Sequence, residues 1–334
     1  MHVWAFYGIP TLKISLLDVY QVISIVGNGV DFFFVISGFC MYLMASGKSF
    51  STGGYLHFLY KRFIRIAPAF YISVLVYALI IKYQQPAYDV LYNVVFHFLF
   101  LNNVVTGNTI SAPFWSIGTE WHYYLILPLL MLSFRKYGVV ACVLWFSLLS
   151  IALSCFVNLG FLAFDWWEKQ IFIRFPEFGM GMIAAFYFKN KKLLPNYLKG
   201  AKGIFIAVGI IFLGRVMKFT QLLEVAGEFA FFINALALPI MTAGFAILLY
   251  HVITEHSKLS NWLSGNLINY LGRISYSIYL WHSLSIFFLA GVLNALPFKQ
   301  YNIFAGFLLV SIATVIIAHF SYLLLESFYF KKKP

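Results

Sequence analysis

GNGVDFFFVISGFCMYL, residues 27–43, reads as a membrane helix with a single charge inside it, Asp31. A carboxylate near hydrocarbon is costly unless it faces protein or water, so Asp31 marks a paired or functional group. The same apolar run continues to residue 47 and stops at Lys48, before the turn-forming stretch SFSTGG.

The rest of the chain is of the same kind. Of 334 residues, 62% are hydrophobic, 20% aromatic and only 10% charged, and the mean hydropathy is +0.85; soluble domains are about 45–50% apolar. Repeated apolar runs of about 20 residues, without the alternation of a barrel strand, predict transmembrane helices. The expected fold is therefore all-α, a polytopic transmembrane helical bundle forming one domain over residues 1–334. Its nine complete spans are expected at 27–47, 66–83, 114–134, 138–160, 171–188, 203–217, 229–250, 270–293 and 302–326. The piece VVFHFLFL, residues 94–101, is too short to cross and reads as re-entrant or interfacial. MHVWAFYGI, residues 1–9, lacks the features of a signal peptide. It reads either as the end of a truncated first helix that begins upstream of Met1 or as a short interfacial N-terminus.

Threading these spans alternately puts 16 of the 23 basic residues on one side, among them Lys61, Arg62, Arg65, Arg135, Lys136 and the terminal lysines. That side is assigned to the cytoplasm, with the C-terminus. The net charge of +12 is thus explained by membrane topology, and nucleic acid is not expected as a partner. Cys40, Cys142 and Cys155 have neither metal nor disulfide spacing and read as small packing residues. No nucleotide loop or zinc motif occurs, and Glu120 and His122, two apart on a helix, are a poor metal pair.

Helical spacing gathers polar residues into sets. Ser116, Glu120 and Tyr124 share one face, with Trp115 and Thr119 beside it; Ser275, Tyr279 and His282 share another, and His319, Tyr322 and Glu326 a third. Arg174, Glu177 and Gly181 repeat the spacing around Pro176. Each set has a plain reading as hydrogen bonding between helices, which contributes about 0.6 kcal/mol on average. For Asp31 and Glu120 a partner or a task is the stronger reading, because an unpaired buried carboxylate is expensive. Arg62 and Arg65, one turn apart, suit phosphate oxygens; the other reading is ordinary cytoplasmic anchoring.

Six runs together resemble the acyltransferase-3 family of integral membrane O-acyltransferases: GVDFFFVISGF (30–39 and its leading glycine), KRFIRIAPAFY (61–71), FWSIGTEWHYYLILPLL (114–130), RFPEFGMGM (174–182), ISYSIYLWHSL (274–284) and SYLLLESF (321–328). The resemblance implies a ten-helix bundle in the bacterial inner (cell) membrane. It would take an acyl group, usually acetyl, from cytoplasmic acyl-CoA (acetyl-CoA) as donor substrate and pass it to a hydroxyl of a cell-envelope, exported or lipid-linked carbohydrate. No permanently bound cofactor or metal is implied, and membrane lipid is the remaining partner. The family's first helix carries an arginine, ten residues and an essential histidine; His2 fits the histidine, and the arginine would precede Met1. The resemblance places Arg62 and Arg65 with the donor, and Asp31, Glu120 and Glu326 at recurrent acidic positions. Trp115, Ser116, Tyr279 and His282 fall in its aromatic and polar runs. The expected base is His2, oriented by Asp31 or Glu120, with His282 as the fallback. Lipopolysaccharide, exopolysaccharide, peptidoglycan and small glycosylated acceptors stay open. The alternative is a transporter or flippase of a lipid-linked sugar that uses the same polar groups as a pathway.

Overall fold

The computed structural model describes residues 13–14, 17–18, 27–47, 52–104, 110–192, 195–255, 257–295 and 302–331. His2 and the rest of the stub lie outside them. Apart from a two-residue antiparallel ladder, Lys13–Ile14 with Leu17–Asp18, the regular structure of the described residues is helical.

Each of the nine expected segments carries a helix. In chain order, with the short α3 (Val90–Phe98) lying between the second and third of them, these are α1 (Gly29–Ala45), α2 (Thr52–Gln84), α4 (Trp115–Tyr137), α5 (Val139–Asn158) and α6 (Ile171–Lys189). The last four are α7 (Gly200–Val216), α8 (Ala230–Thr254), α9 (Asn266–Ala295) and α10 (Asn302–Ser321). Five stretches are long and apolar enough to cross a membrane by length and composition: Gly53–Gln84, Val139–Asn158, Ile171–Lys189, Leu222–Thr254 and Ala305–Tyr329. The chain is an integral, multi-pass membrane protein. α1 and α7 have 17 residues each, about 25 Å of helix at 1.5 Å per residue.

Two boundaries differ from those read off the sequence. The second span, expected from residue 66, is the end of a longer helix: the basic segment 57–65 before it is also part of α2, which is 33 residues long. No glycine or proline interrupts HFLYKRFIRIA, so the helix propagates through it. Pro68, inside α2, lacks the N–H that would bond the Ile64 carbonyl. At the other end, α10 passes into a π-turn, Tyr322–Glu326, before a last α-helical piece, Ser327–Lys331. The wider turn re-phases the helix. His319 therefore bonds the Tyr270 hydroxyl, while Glu326 turns inward to Ser277, so the expected common face is split.

Close crossings are made at small residues, as expected where lipid gives helices no hydrophobic reason to associate. α1 and α6 touch backbone to backbone: a Cβ at Gly38 would fall on the Phe178 carbonyl, and one at Gly181 on the Val35 carbonyl. α7 and α8 approach in the same way at Gly214 and Gly244, where a Cβ would lie 2.7 Å from Ala237 O and 2.8 Å from Ala207 O respectively. Around the first crossing an aromatic stack fills the core, with Phe178 4.5 Å from Phe34 and 4.1 Å from Tyr123 between ring centroids. Gly138, at φ +83°, makes the tight reversal from α4 to α5. The cysteines are all free; Cys142 is buried as a packing residue should be, but Cys40 is exposed.

Candidate active site

The α1–α6 contact brings together residues 143 apart in sequence. Asp31, in the first turn of α1, meets Arg174, in the first turn of α6, at 3.2 Å between Oδ1 and Nη1. The same Nη1 lies 3.2 Å from Glu177 Oε1, and Nη2 lies 3.3 Å from Glu168 Oε1. Nε donates to the Glu168 backbone carbonyl at 2.6 Å. Trp115, opening α4, closes the remaining face, its ring 4.8 Å from the guanidinium carbon. One guanidinium thus holds three carboxylates, of which Glu177 is fully buried. The Asp31 charge also lies at a helix N-terminus, where the macrodipole favours an anion.

Glu120 belongs to a second group. Ser37, six residues or about 9 Å along α1 from Asp31, donates to Glu120 Oε1 at 3.0 Å. Tyr124, one turn below on α4, donates to the same oxygen at 2.5 Å. The face expected from the spacing of Ser116, Glu120 and Tyr124 therefore exists. The Arg62 guanidinium packs 5.8 Å above the Tyr124 ring and 5.7 Å above that of Phe58. Its Nη2 reaches the Met44 sulfur at 3.0 Å. Arg62 is 8% exposed, its Nε has no hydrogen-bond partner, and it makes no ion pair among the described residues. Ser37 and Met44 share one face of α1 and Asp31 lies about a third of a turn round from it, so the two groups form a polar column about 20 Å long that winds along α1.

The remaining candidates serve contacts between helices. Tyr279 on α9 donates to the Pro113 carbonyl, which leaves Ser116 as donor to the Tyr279 hydroxyl at 2.6 Å. His282 turns back onto its own helix, with Nδ1 2.7 Å from the Tyr279 carbonyl and Nε2 3.3 Å from the Ser283 hydroxyl. Ser275 bonds the Gly272 carbonyl in its own turn; its neighbour Ser277 is buried and joins Glu326 and Ser321. Arg65 lies over the Tyr329 ring at 5.8 Å and within electrostatic range of Glu326.

Asp31 and Glu120, expected as alternative partners of one histidine, are thus separated: Asp31 is committed to Arg174, and Glu120 to hydroxyls beside Arg62. Ser37 and Glu168 were not singled out from the sequence. Arg174 and Glu177 were seen as a set but not as the partners of Asp31. The signal for Arg174 was available, since it is an arginine inside an apolar run and so needs an anion as much as Asp31 needs a cation. Among the described residues no group of three or more metal-ligating side chains occurs.

The model of a family described as an acyltransferase domain, acyltransferase-3, matches residues 1–323. Peptidoglycan O-acetyltransferase OatA of Listeria monocytogenes is 25% identical over 330 residues, covering 90% of this chain and 50% of the relative. O-acetyltransferase OatA of Staphylococcus aureus is 25% identical over 326 residues, covering 90% and 52%. ORF330 of Acidianus two-tailed virus is 25% identical over 289 residues, covering 84% and 78%. The chain therefore spans about half the length of the two bacterial relatives. No solved structure matches.

Proposed function

Because the chain belongs to the acyltransferase-3 family, we propose that it is a membrane O-acetyltransferase. In this reading it moves an acetyl group from acetyl-CoA in the cytoplasm to a hydroxyl of a cell-envelope carbohydrate. It would lie in the bacterial inner membrane with all nine helical segments spanning and the C-terminus cytoplasmic. The names of the bacterial relatives support acetyl as the group and a glycan as the acceptor.

The observation that carries the reading is the state of Arg62. A buried guanidinium that among the described residues is held only by a thioether and two aromatic rings is costly, by several kcal/mol, without an anion. A phosphate of the donor would supply one, held by Arg62 and Arg65 at the cytoplasmic mouth. The thioester end would then reach up the column toward Glu120. There the acceptor oxygen attacks the thioester carbonyl carbon, its proton passes to a base, and the carbon–sulfur bond breaks to release coenzyme A. His2 is the proposed base. Glu120 suits its orientation better than Asp31, because Asp31 is ion-paired to Arg174, whereas among the described residues Glu120 meets hydroxyls, both on Oε1.

Arg62→Ala is expected to raise the apparent KM for acetyl-CoA at least tenfold, because a hydrogen bond to a charged group is worth about 1.5–3 kcal/mol; kcat should change less. Steady-state kinetics in membranes with varied donor tests this. An unchanged KM with reduced protein amount would show that Arg62 only anchors α2.

A further inference from the structure

The chain reverses sharply after α3. The Leu101 N–H donates to the Phe96 carbonyl at 2.8 Å and the Phe100 N–H to the His97 carbonyl at 3.0 Å. This pair of bonds needs a left-handed residue just past the helix, a place that glycine usually fills. Here it is Phe100, at φ 57°. Its buried ring stacks on Trp121 at 4.7 Å and on Phe70 at 5.6 Å between centroids. Packing thus holds a backbone geometry that phenylalanine rarely adopts, and the Phe100 carbonyl is brought against α4.

It arrives at Gly118, the fourth residue of α4, and two side chains arrive with it. A Cβ at Gly118 would lie 2.8 Å from Asn103 Oδ1, 2.9 Å from Asn102 Oδ1 and 2.9 Å from the Phe100 carbonyl oxygen. Three oxygens therefore crowd one small space that glycine leaves to them. The amide nitrogens fix how both side chains point: Asn102 Nδ2 donates to the Phe114 carbonyl at 2.5 Å, and Asn103 Nδ2 to the Thr119 hydroxyl at 3.3 Å. The two asparagines are only 2% and 1% exposed, and among the described residues neither Oδ1 has a hydrogen-bond partner.

Buried acceptors gathered in this way call for positive charge. A Gly118 Cα–H is too weak a donor to serve three oxygens, and a water, with two hydrogens, leaves one of them unserved. None of the three is a carboxylate oxygen, so a divalent ion is a poor fit. Neutral carbonyl oxygens suit a monovalent cation, as in potassium filters and the unwound segments of sodium-coupled transporters. The C-terminus of α3, the negative end of its dipole, lies two residues before Phe100 and adds to the field.

We propose that the Phe100 carbonyl and the Asn102 and Asn103 side-chain oxygens bind a monovalent metal cation, sodium or potassium. The ion pins the reversal after α3 against α4. Its hold extends further, because the Asn103 carbonyl accepts from Gln170 Nε2 at 2.9 Å and Thr119 donates to the Lys169 carbonyl at 2.6 Å. Both bonds steady the segment that carries Glu168 to Arg174. The proposal does not depend on the acyltransferase reading.

The full-length protein in detergent would be melted in sodium, potassium or N-methylglucamine chloride at equal ionic strength, and the binding of radiolabelled sodium and rubidium measured at equilibrium. Sodium or potassium is expected to raise the melting temperature by about 5 °C or more at a concentration about 100-fold above half-saturation. Sodium, or rubidium in place of potassium, should bind saturably, and calcium should not displace it. Asn102→Ala and Asn103→Ala should each weaken binding at least about tenfold. Each variant also loses an amide donor, so the readout is the difference between salts within a variant. If neither variant folds, the wild-type binding isotherm alone decides. Equal melting in the three salts without saturable binding would overturn the proposal and leave water on the oxygens. So would displacement by calcium, or a salt response unchanged in both variants.

Discussion

Arg174→Leu is expected to lower the melting temperature by about 10 °C or more and to abolish transfer. The guanidinium is the common partner of Asp31, Glu168 and Glu177, and its removal leaves carboxylates facing one another at a helix crossing that has no room to open. Breaking a buried ion pair by removing one partner costs about 3–5 kcal/mol, a large part of a total stability of about 5–15 kcal/mol. At about 2–4 °C per kcal/mol for a chain of this order of size, the shift follows. The cost lies in the stranded carboxylates rather than in the lost contact. The triple variant Arg174→Leu, Asp31→Asn, Glu177→Gln should therefore regain most of the melting temperature without regaining transfer. Thermal unfolding in detergent, with yield from membranes, measures both. A single variant that melts like the wild type would show that the cluster is solvated.

The second large effect is expected at Glu120. Glu120→Gln keeps an oxygen to accept from Ser37 and Tyr124, so melting should shift by no more than about 2 °C. It removes the negative charge that orients and supports the base, and a positioned acid–base system contributes about 10²–10⁴-fold. Transfer should fall by at least about 100-fold at saturating donor, with the KM for acetyl-CoA little changed. If the activity instead follows Ser37→Ala and Tyr124→Phe in equal measure, Glu120 only holds α1 to α4.

The helices were legible because lipid leaves the backbone no other way to satisfy its own hydrogen bonds, so each apolar run had to be helical. Charge set the start of the second span at residue 66, and the basic segment before it, residues 57–65, is a continuation of the same helix, α2. Contacts inside one regular helix were equally readable: Glu120 and Tyr124 meet as a 3.6-residue turn requires. The same rule failed between His319 and Glu326 because the π-turn Tyr322–Glu326 breaks the period, and nothing in LLLE announces it. On α9 the sequence cannot tell Ser275 from Ser277, since only the neighbour α10 decides which is buried. The separation of Asp31 from Glu120 was likewise hidden. Each was expected to need a partner, but Arg174 and Ser37 lie on other helices, 143 residues from Asp31 and 83 from Glu120.

In the acyltransferase reading the polar column beside α1 carries chemistry and not only passage. Its most direct test is thioester consumption by membranes containing the wild type or Glu120→Gln, with acetyl-CoA labelled in the acetyl group and a cell-envelope glycan as acceptor. The expected result is release of coenzyme A matched by label on the glycan, both lost together in Glu120→Gln. Sugar movement across the membrane with no coenzyme A released, in wild type and variant alike, would contradict it and establish a carrier.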